Sequence, residues 1–252
     1  MNYESLLSAA IKAAQAACLE ILEVYQSANF EVEAKGDNSP LTLADKKAHH
    51  AIVEILQPLG LPILSEEGKS IPYHTRKNWK SFWMVDPLDG TKEFIKRNGE
   101  FTVNIALIEN GKPVMGVVAL PTSGEVYYGF DGRASKIKNG ITEQLTAPKK
   151  VSKHTSGIRV VASRSHNNEE TQQFIDSLNS PQLVSKGSSL KFLLLADGLA
   201  DIYPRFAPTM EWDTAAAHAI VNQLGIQVTE KGATTELQYN KEQLLNPSFL
   251  VY

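Results

Sequence analysis

The sequence predicts a mixed α and β protein with two parts, an α+β part over residues 1–150 and an α/β part over residues 151–252. Three observations support this fold class. Two helical stretches open the chain, a series of strand-like runs follows them, and short strands alternate with helices after residue 150. The boundary is placed where the composition turns polar, at residues 149–157.

Two amphipathic helices are predicted in the first part. Residues 4–25 place apolar side chains at helical spacing and polar ones on the remaining face. A second helix follows Thr42, which stands three residues before Asp45 as in a capping box. Helix capping alone is sufficient to explain why an aspartate stands at position 45.

Strands are predicted at residues 61–64 and 82–85, and a hairpin joins residues 101–109 to residues 114–120 around Asn110-Gly111. Another strand follows at residues 125–130. A compact group of strands behind two helices is typical of an α+β architecture.

The second part begins with a predicted strand at residues 158–162 and a helix at residues 170–178. A Gly-Ser turn at Gly187 then leads into a helix that carries Lys191 one turn in. Such a turn before a helix, with a lysine nearby, is suited to an anion. An alanine-rich helix begins near Asp213 and ends at a glycine, and two strand-like runs close the chain.

Composition excludes several classes of function. The chain has 252 residues, 42% of them hydrophobic and 21% charged, with a net charge of −3, so a polyanion-binding surface such as a nucleic-acid interface is disfavoured. The single cysteine, Cys18, rules out an intramolecular disulfide and favours a reducing cytoplasm. We expect neither a secretory signal nor a transmembrane segment. The sequence gives no signal for an oligomeric state.

Two carboxylates stand close together in the stretch SFWMVDPLDGTKEF, residues 81–94. Asp86 ends an apolar run, and Asp89 follows it in a turn closed by Gly90. Thr91 is predicted as the N-cap of a short helix. Two carboxylates on a rigid turn beside a helix start suit a divalent cation and a phosphate, although a polar hairpin turn would look the same.

Two further acidic sites, with three residues in all, share this setting. Glu66 and Glu67 follow the strand at residues 61–64, and Asp213 stands at a helix start after Trp212. Together with the turn aspartates they could hold two or three Mg²⁺ ions, because Mg²⁺ prefers hard oxygen ligands. An acidic surface turn remains the alternative for Glu66 and Glu67.

The motifs DPLDGTKEF, the upstream SEE and the downstream WDTAAAHA resemble the lithium-sensitive, magnesium-dependent phosphatase superfamily of inositol monophosphatase and fructose-1,6-bisphosphatase. The resemblance covers essentially the whole chain and implies a layered αβαβα sandwich. Within this superfamily, LADKKAHH, SRSH and GSSLKF resemble the bacterial 3′(2′),5′-bisphosphate nucleotidases. Enzymes of that kind are cytoplasmic and are often assigned to the cytoplasmic face of the inner membrane.

The resemblance implies roles for individual residues. Asp45 and Thr91 would activate the attacking water, which goes beyond a capping role for Asp45, and Glu67 would lie near the ions or their waters. The implied metal ligands are Glu66, Asp86, Asp89, Asp213 and the carbonyl of Leu88. The implied substrate contacts are Glu66, Leu88, Asp89, Gly90, Thr91, Ser163, His166, Gly187, Lys191 and Asp213. Without the resemblance, the SRSH segment would be taken as a plain loop.

The implied reaction is Mg²⁺-dependent hydrolysis of adenosine 3′,5′-bisphosphate to AMP and phosphate, with water attacking in line. Action on 3′-phosphoadenosine 5′-phosphosulfate and a role in sulfate assimilation are implied as well. Two alternatives remain open: a phosphatase for inositol phosphate or another small sugar phosphate, and a nucleotide-binding protein without catalysis. The complete set of acids from Asp45 to Asp213 argues against the second alternative.

Overall fold

The computed structural model describes residues 2–27, 33–34, 40–162 and 168–252, with the backbone alone described at 33–34 and 40–41. The helices of this part are α1 (Tyr3–Gln26), α2 (Leu43–Leu56), α3 (Tyr73–Arg76), α4 (Thr91–Ile95), α5 (Glu169–Asp176), α6 (Leu190–Ala196) and α7 (Glu211–Asn222). A short 3₁₀ turn, Gln57–Leu59, follows α2. The first strands are β1 (Glu33–Ala34), β2 (Pro40–Leu41), β3 (Ile63–Ser65), β4 (Ser81–Asp89), β5 (Thr102–Glu109), β6 (Lys112–Leu120) and β7 (Glu125–Phe130). The later strands are β8 (Arg133–Lys138), β9 (Ile141–Gln144), β10 (Arg159–Val161), β11 (Gln182–Val184), β12 (Tyr203–Arg205), β13 (Val228–Glu230) and β14 (Phe249–Val251).

A seven-stranded sheet in the order β3-β4-β5-β6-β7-β8-β9 forms the centre of the first part. β3 and β4 run parallel, and each later pair is antiparallel. The predicted hairpin between β5 and β6 is confirmed. Its turn residues Asn110 and Gly111 have φ angles of 50° and 76°, as a two-residue turn between twisted strands requires.

Two strands of this sheet, β8 and β9, were not predicted. Each follows a two-residue turn in the left-handed region, at Asp131-Gly132 and at Asn139-Gly140. Those dipeptides are hairpin signals, but the strands beside them are short, and every residue of β9 is exposed. Without a buried face, β9 lacks the alternating hydrophobicity that identifies a strand in a sequence.

The elements stack in five layers, as the resemblance implied. α1 and α2 cover one face of the seven-stranded sheet through one hydrophobic core. α6 and α7 cover the other face, and a second core joins them both to this sheet and to β13 and β14. A third, smaller core lies between β10 and α5. The layered sandwich is therefore confirmed.

The alternation of side chains along β4 decides which way its polar end points. Trp83 and Val85 belong to the core beneath α1 and α2, whereas Phe82 and Met84 belong to the core beneath α6 and α7. Because side chains alternate along a strand, Asp86 falls on the second of these faces. The strand therefore directs Asp86 toward the layer that contains α7.

α7 lies unusually close to the sheet. A Cβ atom added at Gly116 would be 2.0 Å from the carbonyl oxygen of Ala216, and one added at Gly129 would be 2.7 Å from Cα of Ile220. Two strand glycines and a run of alanines on the helix thus allow backbone to pack against backbone. This contact fixes the start of α7, where Asp213 stands, against the sheet.

The strands of the second part alternate with helices, as predicted, but they form a mixed arrangement. β10 and β11 are parallel, and a parallel bridge joins Val160 to Ile202 beside β12. β14 lies between β12 and β13 and is antiparallel to both. The second core includes side chains from before and after residue 150, such as Met84 and Phe192, and the division of the chain into two parts at that residue stays a prediction.

α1 is long and apolar enough, by length and composition alone, to cross a membrane. Its alanine-rich face packs against α2 and the seven-stranded sheet, where Ala10, Ala13, Ala14 and Ala17 are fully buried. The helix is a core element of the fold.

Candidate active site

The geometry of the DPLDG segment comes from an irregular strand end rather than a simple hairpin turn. β4 continues through this segment, and its pairing with β5 shifts between Asp86 and Asp89. Gly90 follows with φ of 94°, and a side chain there would meet the carbonyl oxygen of Glu100 at 3.1 Å. The prediction that Thr91 is the N-cap of α4 is wrong. Gly90 holds that position because it alone adopts the left-handed conformation easily, and Thr91 is the first helical residue.

Asp86 is a buried carboxyl group among other acids. Its side chain is 1% exposed, and its Oδ1 accepts the amide of Leu88 at 3.0 Å. Burial raises its pKa well above the usual range, and the charges of Glu66, Asp89 and Asp213 raise it further, together with a hydrogen bond to Glu66. Asp86 therefore lies within electrostatic reach of the three other acids that are predicted to bind metal.

Asp89 is held by the turn that precedes α6. Its Oδ2 accepts the Ser188 hydroxyl at 2.7 Å, the Ser189 amide at 2.7 Å and the Ser189 hydroxyl at 2.9 Å. The side-chain amide of Asn104 adds a longer contact of 3.4 Å to the same oxygen. The anion that the Gly-Ser turn binds in the structure is thus the carboxylate of Asp89. The turn, from the second part of the chain, orients an acid from the first part.

Asp213 stands in the first turn of α7, where its Oδ2 accepts the amide of Met210 at 2.8 Å. Burial raises its pKa to about 8, and the Asp89 carboxylate is the next largest contribution. The Met210 amide and the charge of Arg205 oppose the shift. The first turn of α7 thus contains a buried carboxyl group, that of Asp213, with the acid Asp89 as its neighbour.

A buried hydrogen-bond network fixes the loop that packs beside this helix start. Glu211 is 0% exposed and accepts the amides of Asn240 at 2.6 Å and Lys241 at 3.0 Å. Its partner in an ion pair is the Lys241 ammonium group, at 2.6 Å. Arg76, which is also buried, donates to the Asn240 side chain and to the carbonyls of Lys241 and Glu242. Every carboxylate oxygen of Glu211 is therefore satisfied, as a buried charge requires.

The acidic group fits a hard divalent cation by its chemistry. Carboxylate oxygens of Glu66, Asp86, Asp89 and Asp213 repel one another, and a cation among them would relieve this repulsion. Within the part of the chain that the structure describes, no three His, Cys, Asp or Glu side chains already stand in metal-holding geometry. Small movements of the side chains would thus accompany binding. The carbonyl of Leu88 accepts the Thr91 hydroxyl at 3.4 Å, so the predicted backbone ligand lies beside the predicted catalytic threonine.

Asp45 and Thr91 come together from distant parts of the sequence. The Thr91 hydroxyl lies 3.3 Å from Oδ1 of Asp45, across the contact between α2 and α4. The other oxygen, Oδ2, accepts both the amide of Thr42 at 2.8 Å and its hydroxyl at 2.6 Å. The predicted capping box is confirmed, and it leaves Oδ1 of Asp45 directed toward Thr91.

The two glutamates after β3 have different surroundings. Glu66 follows the last strand residue, its amide donates to the Val85 carbonyl at 3.0 Å, and its carboxyl group reaches Asp86. Glu67 lies within electrostatic reach of His49 on α2. Glu66 therefore joins the acidic group, whereas the catalytic role of Glu67 stays a prediction.

A cavity of about 370 Å³ opens beside Asp89, Gly90 and Asp213. Lys191 and Arg205 line the same cavity, so acidic and basic groups share its lining. Burial is the main cause that lowers the pKa of Lys191; the Asp89 carboxylate opposes the shift, and the Arg205 charge adds to it.

Arg205, in this lining, has an unused donor. Its Nη2 donates to the carbonyl of Pro208 at 3.1 Å, but its buried Nε finds no hydrogen-bond partner among the described residues. Two neighbouring cations, one with a free donor, favour an anion between them.

Some predicted contacts lie elsewhere or outside the described residues. Ser163 and His166 fall in the segment 163–167, which the structure does not describe. Gly187 lines the cavity, but its amide donates to the Glu100 carboxylate at 2.9 Å. A side chain at Gly187 would lie 2.9 Å from the Glu100 carbonyl, so the glycine permits a close approach of two backbone segments.

Sequence reasoning missed three groups of this site. Asn104 is a polar residue inside the apolar strand β5, a signal that could have identified it, because a buried amide needs partners. Ser188 and Ser189 belong to the predicted Gly-Ser turn, and their local sequence does not indicate that they bind Asp89. Arg205 ends a short strand, and nothing in its local sequence indicates that it meets Lys191.

Comparisons with known proteins agree with this fold. The inositol monophosphatase family model matches residues 2–249. A protein of Salmonella typhimurium named 3′(2′),5′-bisphosphate nucleotidase CysQ is 47% identical over 92% of this chain and 93% of its own. The crystal structure of CysQ from Bacteroides thetaiotaomicron, described as a member of the inositol monophosphatase family, superimposes with a TM-score of 0.87 at 46% identity, covering 99% of this chain and 97% of that one.

A more distant structure shares the fold alone. The extragenic suppressor protein SuhB of Bartonella henselae has a TM-score of 0.78 at 22% identity, over 98% of this chain and 93% of its own. The family match covers nearly the whole sequence, and the similar proteins match at nearly full length. The chain is a member of the inositol monophosphatase family.

Proposed function

We propose that this protein is a Mg²⁺-dependent 3′(2′),5′-bisphosphate nucleotidase that hydrolyses adenosine 3′,5′-bisphosphate to AMP and phosphate. The observation that carries the proposal is a cavity lined both by Asp89 and Asp213 and by Lys191 and Arg205. The acids suit a metal-assisted phosphate ester hydrolysis, and the two cations suit a second phosphate that is kept. The similarity to CysQ proteins over nearly the full length supports the same substrate class.

The metal-binding part of the proposal assigns Mg²⁺ to Glu66, Asp86, Asp89, Asp213 and the Leu88 carbonyl. When bound there, Mg²⁺ would supply Lewis acidity toward the phosphoryl oxygens and the attacking water. The number of ions, two or three, is part of the proposal. The Ser188-Ser189 turn would hold the Asp89 carboxylate in place for metal binding, since three donors converge on its Oδ2.

Asp45 and Thr91 are proposed to accept the proton that the attacking water loses. The Thr91 hydroxyl has Oδ1 of Asp45 at 3.3 Å and the Leu88 carbonyl at 3.4 Å as acceptors; when it donates to Asp45, its oxygen keeps a lone pair to accept a hydrogen bond from the attacking water. The proton lost by that water moves to Asp45 through Thr91. Thr42 holds the other oxygen of Asp45 with two donors and thereby fixes the carboxylate plane. The amides of Gly90 and Thr91, at the start of α4, are proposed to hold the phosphate that is cleaved.

Lys191 and Arg205 are proposed to bind the phosphate that stays on the nucleotide. Lys191 also donates to the carbonyl of Ser188 at 3.0 Å, which keeps its ammonium group against the cavity wall. A bisphosphate would bridge the acidic and the basic groups, whereas a monophosphate would occupy one of them. Ser163 and His166 are proposed to contact the nucleoside. Hydrolysis of 3′-phosphoadenosine 5′-phosphosulfate, a role in sulfate assimilation and a cytoplasmic location belong to the same proposal.

The test measures phosphate release from adenosine 3′,5′-bisphosphate, 3′-AMP and inositol 1-phosphate, each with and without Mg²⁺. We expect fast, Mg²⁺-dependent release from the bisphosphate, slower release from 3′-AMP, and little from inositol 1-phosphate. A preference for inositol 1-phosphate would overturn the substrate assignment. Tight binding of the bisphosphate with no release in Mg²⁺ would overturn catalysis.

Variants of the two cations sharpen the substrate test. Lys191→Met and Arg205→Met should each raise KM for the bisphosphate at least about tenfold, because each removes a charge-assisted contact. They should leave KM for 3′-AMP nearly unchanged. Lys112→Met, at an exposed position on the β5–β6 hairpin, is the matched control for loss of a positive charge. Equal effects on both substrates would remove Lys191 and Arg205 from the second phosphate site.

A further inference from the structure

His49 has a partner that the proposed mechanism does not use. It lies on α2, four residues after Asp45, so the two side chains share one face of the helix. The Nδ1 atom of His49 is 2.9 Å from the Ser65 hydroxyl, at the end of β3. The neighbouring His50 is exposed, and its Nδ1 meets the Lys46 carbonyl of its own helix at 2.7 Å. The two adjacent histidines therefore serve different contacts, one between elements and one within a helix.

Ser65 begins the turn that carries both glutamates. It is buried, and its carbonyl accepts the amide of Gly68 at 3.0 Å, which closes the turn around Glu66 and Glu67. The ring of His49 covers this turn, because a Cβ added at Gly68 would lie 3.8 Å from its Cε1. The hydrogen bond between His49 and Ser65 thus links α2 to the segment on which Glu66 is mounted.

α2 consequently has two polar links to the active-site segments. One joins Asp45 to Thr91, at the end of the DPLDG segment. The other joins His49 to Ser65, one residue before Glu66. The apolar stripe of α2, including Ala48 and Ile52, anchors the helix to α1 and to the sheet. The two polar links add to this packing a direct contact between the helix and each of the acidic segments.

We infer that His49 is a positioning residue, which holds α2 and the Ser65–Gly68 turn in register so that Asp45 and Glu66 stand at the separation the reaction needs. The inference rests on the proposed function, since it assigns His49 to the proton-accepting and metal-binding groups of that site. A shift of about 1 Å between catalytic groups can lower a rate by about 100-fold. His49 touches the substrate in no step of this scheme and acts through Asp45 and Glu66.

The test compares His49→Ala and Ser65→Ala, singly and together, with His50→Ala as the matched control on the same helix. We expect His49→Ala to lower kcat about ten- to 100-fold and to raise the Mg²⁺ concentration for half-maximal activity, with KM for the bisphosphate nearly unchanged. The double variant should be little worse than either single variant, because both remove the same link. His50→Ala should behave as the wild type.

A conservative variant and a measurement without substrate complete the test. His49→Asn places a polar atom where Nδ1 stands and should recover most of the lost kcat. The increase in Tm that Mg²⁺ causes should be smaller in His49→Ala than in His50→Ala. The inference is overturned if His49→Ala matches His50→Ala, if the two alanine effects simply add, or if Tm falls with no change in the Mg²⁺ response. An inactive wild type would instead overturn the proposed function, and the Mg²⁺ effect on Tm would still report on His49.

Discussion

The helices α2 and α7 begin in the same way and yet present their aspartates to different surroundings. In each helix the third residue is an aspartate whose Oδ2 accepts the amide of the residue three positions earlier, at 2.8 Å in both cases. Asp45 does this with Thr42, and Asp213 does it with Met210. The local motif is the same, and in both helices it holds a carboxylate in the first turn, at the edge of the site.

The neighbours of the two carboxylates differ. Asp45 receives hydroxyl groups from Thr42 and Thr91, so hydrogen-bond donors surround it. Asp213 has the Asp89 carboxylate beside it, and burial with that charge raises its pKa to about 8. A capping motif thus fixes the position of a carboxylate, and the surrounding groups determine whether it is suited to accept a proton or to bind a cation.

The largest effect is expected from Asp89→Asn, which removes the acid whose charge raises the pKa of Asp213 the most. We expect turnover of the bisphosphate to fall more than about 100-fold, because second-sphere changes alone cost up to that much and Asp89 is assigned to the metal itself. The amide would also set an N–H group against the Ser189 donors in one of its orientations. The measurement is kcat at saturating Mg²⁺. Glu143→Gln, on the exposed strand β9, is the control, and near-normal turnover in Asp89→Asn would contradict the metal assignment.

Gly116→Ala tests how α7 is placed. The added Cβ would lie 2.0 Å from the Ala216 carbonyl oxygen, so the helix or the strand has to move. We expect a loss of about 3 kcal/mol or more in the free energy of unfolding, at the upper end of overpacking effects. Urea unfolding measures it, with Lys112→Ala at the exposed start of the same strand as control. An unchanged unfolding midpoint would show that α7 is not held by this contact.

The pH dependence of stability should reveal the buried histidine of α7. Burial lowers the pKa of His218 to about 3, below its ordinary value of 6.5. The unfolded state therefore binds the proton more readily, and stability present above pH 6.5 is lost as the pH falls toward 3. The expected slope is about 1.4 kcal/mol per pH unit.

Urea unfolding at pH 7 and pH 5 measures this effect. His218→Gln, which keeps a polar group near Tyr239, should be less sensitive to pH than the wild type by about 2 kcal/mol over that interval. His154→Gln removes an exposed histidine and is the control. An equal pH dependence in His218→Gln and the wild type would show that His218 is not held neutral.

The smallest effect is expected from the N-cap of α2. Thr42→Ala removes the hydroxyl that donates to Asp45 and should cost about 1 kcal/mol, whereas Thr42→Ser should cost little. Met210→Ala should not show a cap loss, since Met210 contributes its backbone amide to Asp213. Thermal unfolding of the three variants separates these cases. Equal losses in Thr42→Ala and Thr42→Ser would mean that the hydroxyl is not the stabilising group.

Local motifs of the sequence predicted much of the fold. The helix of residues 4–25, the β5–β6 hairpin and the capping box of α2 depend on neighbouring residues, and the structure confirms them. The assignment of the helix N-cap to Thr91 was wrong because the left-handed conformation of Gly90 moved the helix start by one residue. The strand β9 was missed because its exposed side chains carry no hydrophobic pattern.

The sequence was sufficient to predict the acids of the candidate site. It was not sufficient to predict the hydrogen-bond donors and cations that surround them. Glu66, Asp86, Asp89 and Asp213 stand out at strand ends and helix starts. The contacts of Asp89 with Ser188 and Ser189 join residues about a hundred positions apart. The approach of Arg205 to Lys191 likewise depends on how β12 and α6 pack. Such contacts follow from the topology, which residue spacing alone does not specify.

The measurement that tests the central comparison most directly is the Mg²⁺ concentration for half-maximal activity in Asp45→Asn and in Asp213→Asn. Asparagine keeps a side-chain oxygen for the backbone amide in both helices, so the capping contact survives and the charge is lost. We predict that Asp213→Asn raises this concentration at least about tenfold. Asp45→Asn should leave it unchanged while lowering kcat by about 100- to 10,000-fold, as expected for loss of a general base. Equal shifts in the Mg²⁺ requirement of the two variants would contradict the division of roles between α2 and α7.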